Sequence, residues 1–264
     1  MRKASMLLTV LVLISMPALA QDEGAELAKK LANPVASLIQ VPFVANYDEN
    51  IGPDEEGAVW LINIQPVIPF SLSEDWNLIS RTILPVIDLN DVPVKGMGAS
   101  GIGDLLPSLF FSPVKSGGLT WGVGPVFLLP TASDKMLGGG KWGIGPTAVL
   151  LKQQGPWTVG GLVSHVESVA GKDDRADISA TLIQPFLTYI IRKTKTTIAL
   201  NTESTYDWEN EEWLVPINFN VFQMLKVGTQ IIQVGGGVRY WVDSPDGAAD
   251  GWGARTKLTL LLPK

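Results

Sequence analysis

Few side chains in this chain can do acid–base or metal chemistry. His165 is the single histidine and cysteine is absent, which excludes a multi-histidine or thiolate metal centre and leaves one imidazole base. Glu167 stands two positions on, where a His-x-Ser pair would carry its nucleophile. The favoured reading of His165 is therefore a rim histidine in ordinary hydrogen bonds, and no catalytic residue is assigned. Gly96-Met97-Gly98-Ala99-Ser100-Gly101 has dinucleotide-fingerprint spacing but precedes a strand, so no helix terminus awaits a pyrophosphate. Gly138 to Lys141 fails as a phosphate loop, since Lys135 replaces its first glycine and Trp142 its Ser or Thr. No cofactor and no metal are expected, and the chain reads as a non-enzyme.

The polar residues that share one strand face carry more. Inward parity collects Arg81, Asn201, Glu203, Asn218, Asn220, Arg239, Arg255 and Lys257, together with Asn63, Gln65, Gln184 and Gln233. Fixed charge of this kind forms a selectivity constriction or a stiffening salt-bridge network. If the last hairpin turns near Asp246-Gly247, Arg239 and Arg255 lie almost opposite each other. Like charges at that separation need a counter-charge, and Glu203 or Asp243 is the expected one.

A face exists only if the chain forms strands, and the pattern says it does. From Thr196 to Trp208, Ile198, Leu200, Tyr206 and Trp208 share one face while Asn201, Glu203, Thr205 and Asp207 share the other. About ten alternating residues followed by a turn is the signature of a transmembrane β-barrel. The repeat predicts about twelve strands, near 35–47, 59–70, 76–87, 103–112, 119–129, 142–151, 157–169, 178–191, 196–208, 213–222, 231–243 and 252–262. Compact turns alternate with longer acidic loops, among them 88–102, which places both termini in the periplasm. The expected fold is all-β: an up-and-down antiparallel barrel of the bacterial outer-membrane type.

Aromatics cluster at strand ends. Trp60, Trp142, Trp208, Trp213 and Trp252 fall at the outer ends and Trp76, Trp121 and Trp157 at the inner ends, as two membrane-interface girdles require. Pro42, Pro66, Pro85, Pro125 and Pro216 interrupt strands and need bulges or local unpairing. Gly235-Gly236-Gly237 reads as a place for bending or close backbone approach. His165 and Glu167 are assigned inward, because charge facing lipid at mid-depth costs roughly 2 to 4 kcal/mol.

Residues 1–20 read as a signal peptide: basic Arg2 and Lys3, apolar Met6 to Ile14, then Ala18-Leu19-Ala20 before the cleavage point. Residues 21–34 form a short periplasmic or lumenal segment, with Ala25 to Ala32 helical and ended by Asn33-Pro34. Residues 35–264 are the barrel. Charged residues make up 17% of the chain, against about 25% in soluble domains, which suits a protein with one face in lipid. A net charge of −6 argues against nucleic acid as a partner. The partners expected are outer-membrane lipid, lipopolysaccharide, the barrel-assembly machinery and a small-molecule solute.

From about Leu31 onward the chain resembles the outer-membrane proteins of the meta-pathway of phenol degradation, a family labelled as transporters. The resemblance rests on Leu61-Ile62-Asn63-Ile64-Gln65-Pro66-Val67, Gly101-Ile102-Gly103-Asp104-Leu105, Gly122-Val123-Gly124-Pro125, Trp142-Gly143-Ile144-Gly145-Pro146 and Asn201-Thr202-Glu203-Ser204. It implies an outer-membrane barrel with uptake of hydrophobic or aromatic compounds as its role, and supplies no catalytic motif. The reading that follows is a channel for passive passage of small molecules through a narrow lumen. The alternative is a non-conducting structural or surface-interaction barrel; an outer-membrane hydrolase comes third.

Overall fold

The computed structural model describes residues 21–115 and 117–262, so the expected signal peptide lies outside the described residues. Fifteen strand segments compose twelve spans. They are β1 (Ile39–Ile51), β2 (Gly57–Ile64) continued by β3 (Val67–Ser71), β4 (Trp76–Asn90), β5 (Gly98–Ile102) continued by β6 (Leu106–Pro113), β7 (Leu119–Leu128) and β8 (Lys141–Gln154). The second half comprises β9 (Trp157–Gly171), β10 (Ser179–Ile191), β11 (Thr196–Thr202) continued by β12 (Ser204–Asp207), β13 (Glu212–Val227), β14 (Gln230–Asp243) and β15 (Gly251–Leu262). Each span pairs antiparallel with its sequence neighbours, and β15 pairs back onto β1 with Leu262 opposite Ile39. Closure leaves no unpaired edge, so the twelve-strand up-and-down barrel read from the periodicity is the fold.

Prolines set the breaks within spans. Pro66 separates β2 from β3, where Gln65 N–H turns to the Pro42 carbonyl at 2.8 Å. Pro216 coincides with a register shift between β13 and β14, and on its other side it faces the gap at Glu203 that divides β11 from β12. Pro125 sits opposite Pro146, two residues that lack ladder donors facing each other. Two boundaries differ from expectation. The first span begins at Ile39 rather than Val35, because Val35 and Ala36 are buried as the chain turns out of the preceding helix. The turn expected over 223–229 contracts to Gly228-Thr229, where Gly228 has the positive φ (62°) that a tight hairpin favours.

Outside the barrel, Phe111, Val123, Leu150, Val163, Ile183, Leu200, Phe219 and Val238 are exposed as a continuous apolar band. Aromatic pairs bound this band. Trp76–Trp121 and Trp157–Tyr189 lie toward the short turns; Tyr47–Trp60, Tyr206–Trp213 and Tyr240–Trp252 lie toward the long loops. Among the described residues, no helix is long and apolar enough to cross a membrane.

Inside, the lumen has two unlike walls. Ile79, Phe110, Val149, Leu151 and Leu162 form a packed apolar wall, whereas Asn46, Asn218, Asn220, Gln233, Arg239 and Arg255 are buried on the other. Helix α1 (Gln21–Leu31) closes the short-turn end from within. Its Ala25 and Ala28 pack on Ile190, Met224 and Leu261. Gln153 Nε2 donates to the Lys29 carbonyl at 2.8 Å, satisfying one of the acceptors that a helix C-terminus leaves open.

Candidate functional site in the lumen

The polar wall is organised around two arginines from the last hairpin. The sequence placed them nearly opposite each other; the register instead sets Arg239 opposite Gly253 and Arg255 opposite Gly237. Each guanidinium is thus given a glycine as its cross-strand neighbour. A Cβ on Gly253 would come within 2.5 Å of Asp48 Oδ1, and one on Gly237 would collide with the Phe219 carbonyl. The glycines of this hairpin serve close approach.

Arg255 is fully committed: Nε donates to Asn46 Oδ1 at 2.7 Å, and Nη1 and Nη2 grip the Glu203 carboxylate at 3.1 and 2.5 Å. Such a fork matches carboxylate geometry and is stronger than a single ion pair. Arg239 bonds Asp48 at 2.9 Å and stands 3.7 Å from Glu203. Its guanidinium also lies 4.6 Å from the Trp241 ring, whose Nε1 donates to Asp48 at 2.8 Å. Glu203 was foreseen as the counter-charge. Asp243 was not brought in: it is exposed at the end of β14, and Asp48 from the first span takes that place. Trp241 was also missed, although its inward parity with Arg239 was a usable signal; the eight tryptophans assigned to the girdles face outward.

Toward α1, the wall opens into a cavity of about 190 Å³. Arg81, Asn201, Glu203, Asn220, Arg255 and Lys257 line it, and Asn218 and Arg239 lie buried beyond it. Arg81 reaches Gln65 Oε1 at 3.4 Å, and the Lys257 ammonium lies 4.0 Å from the Phe222 ring. All eight lumen residues read from the sequence therefore fall on the inner face.

His165 and Glu167 do not. Register with both neighbouring strands puts His165 opposite Thr181 and on the outward face with Val163, which corrects the inward assignment. His165 Nδ1 lies 2.9 Å from Thr181 Oγ1 and its Nε2 3.5 Å from Glu167, while Trp208 Nε1 donates to the same threonine at 2.8 Å. The group sits beside an end-of-strand aromatic, near the rim, where the cost of outward charge falls to about 0–1 kcal/mol. The mid-depth penalty used to turn it inward does not apply at that height. No group of three or more side chains suited to holding a metal occurs among the described residues.

A closed twelve-strand antiparallel barrel with an apolar outer band bounded by aromatics and a polar interior is the architecture of outer-membrane β-barrels. Solved structures share it. An outer membrane channel from Pseudomonas putida F1 superposes with a TM-score of 0.65 at 12% identity, over 85% of this chain and 96% of that one. The NanC porin superposes with a TM-score of 0.53 at 9% identity, over 86% of this chain and 100% of that one. The phospholipase A of the Escherichia coli outer membrane, at a TM-score of 0.47, 11% identity and coverages of 90% and 98%, carries no argument. At these identities the likeness shows the fold. No protein-family model and no curated protein matches the chain.

Proposed function

We propose that this protein is an outer-membrane channel for passive passage of small molecules with an apolar body through a narrow lumen. The observation that carries the reading is the 190 Å³ cavity lined by the charged heads of Arg81, Glu203, Arg255 and Lys257 and by the apolar side chains of Val67, Phe186, Phe222 and Leu31. Side chains fill barrels of about 8 strands, and those of 16 to 18 leave open water channels, so a partly filled lumen suits twelve. The apolar band buries in lipid, the aromatic pairs lie at its two interfaces, and the long loops meet lipopolysaccharide. Helix α1 sets the conductance by occupying the short-turn end.

Single-channel recording in planar bilayers tests this, using the full chain and a variant lacking residues 21–33. Small currents from the full chain and larger ones from the deletion are expected. Absence of current from both would overturn the channel and favour a structural barrel. That second reading rests on the buried ion network and on the helix packed across the lumen.

A further inference from the structure

We infer that the mid-lumen cavity is a binding site for a small organic carboxylate carried on an apolar body. The inference names the solute class of the channel reading and rests on that reading for its physiological sense, although binding itself is separately measurable.

Three cationic heads line the cavity, Arg81, Arg255 and Lys257, against the single carboxylate of Glu203. Glu203 is already gripped by both terminal nitrogens of Arg255. Arg81 and Lys257 have no carboxylate within 4.0 Å among the described residues. Arg81 is left with one long bond to the Gln65 amide, and Lys257 with the face of Phe222. Arg81 shares the Glu203 charge at longer range with Arg255 and Arg239, Lys257 has, among the described residues, only the like charge of Arg255 acting on it, and an anion in the cavity relieves both. A carboxylate offers one oxygen to each. Thr188 and Thr197 also line the cavity, with their hydroxyl oxygens buried in its wall and lacking a hydrogen-bond partner.

The remaining surface says what the carboxylate is attached to. Phe186, Phe222, Val67 and Leu31 also line the cavity, and an inorganic ion would leave them facing a void. An engineered cavity of roughly 150 Å³ admits benzene, so 190 Å³ holds one ring with its carboxylate. Polar groups fixing orientation within an otherwise apolar pocket is the usual design of small-molecule sites.

Calorimetric titration of the purified full-length protein in detergent with benzoate, its neutral isostere benzamide and inorganic phosphate tests the inference. Benzoate should bind at least about tenfold more tightly than either. Arg81→Gln and Lys257→Met should each weaken benzoate by about fivefold or more and leave benzamide unchanged, with heat-dependent gel mobility reporting that each variant is folded. If Arg81→Gln does not fold, Lys257→Met decides alone. Equal affinity for benzamide, equal affinity for phosphate, undetectable benzoate binding, or wild-type affinity in a folded variant would each overturn the site. A protein that binds benzoate as described but passes no current sinks the channel and leaves the site standing.

Discussion

Asp48 on the first span and Arg239 on the eleventh are 191 positions apart and meet at 2.9 Å, with side chains only 7% and 6% exposed. The pair ties the barrel across the seam where its two chain ends come together. Removing one partner of such a buried pair leaves an uncompensated charge, at a cost of about 3–5 kcal/mol. Asp48→Asn should therefore lower the temperature at which the folded gel band is lost, and Asp48→Asn combined with Arg239→Gln should recover part of the loss. An unchanged transition in the single variant would show that water already solvates the pair.

Glu203 and Arg255 should govern ion selectivity if the current passes this wall. Arg255→Ala should shift reversal potentials toward cations, and Glu203→Gln should shift them toward anions, because fixed charge in a narrow pore repels its own sign. Glu203→Gln should also reduce thermal stability, since it frees Arg255 from its fork. Loss of stability with unaltered selectivity would assign the network a purely structural role.

Glycine at 237 is a steric requirement. Gly237→Ala drives a methyl into the Phe219 carbonyl, so the variant should give a low yield of heat-modifiable barrel. Gly161→Ala is the matched control: its Cβ would meet nothing closer than 3.8 Å, and assembly should be normal. Equal yields from the two would refute the close-approach argument.

At the long-loop rim, Lys141 donates to Asp177 at 2.8 Å, and this bond together with the lysine's charge holds the Asp177 carboxyl below the usual range. A carboxyl so depressed contributes stability that is present above its unfolded value of about 3.9 and lost as pH falls through the lower folded value. Thermal transitions of wild type and Asp177→Asn should thus differ slightly at about pH 7 and converge at about pH 2. A gap that widens on acidification would contradict the sign.

Orientation is open to direct labelling, helped by a chain without cysteine. Ala248→Cys, in a long loop, should react with an impermeant maleimide on intact cells, and Thr194→Cys, in a short turn, should react only after lysis. The reverse pattern would invert the barrel in the membrane.

Strand number, turn alternation and the band of end-of-strand aromatics were legible because each is a local, period-two property: a strand such as Thr196–Thr202 declares its two faces in its own residues. The same parity placed Arg81, Glu203, Arg255 and Lys257 on one face. Parity cannot say which face is which when both are mixed, and so His165, among Val163, Ser164 and Val166, was turned the wrong way until pairing with Thr181 decided it. Nor can it supply partners from distant spans. Asp48 meets Arg239 only because β15 returns to β1, and the apolar wall of Ile79, Phe110, Val149 and Leu162 exists only because the neighbouring strands β4 to β9 curve around one side of the barrel and turn these side chains into one packed interior. Local alternation determined that the chain would be a barrel; closure and register, which are long-range, decided what its lumen contains.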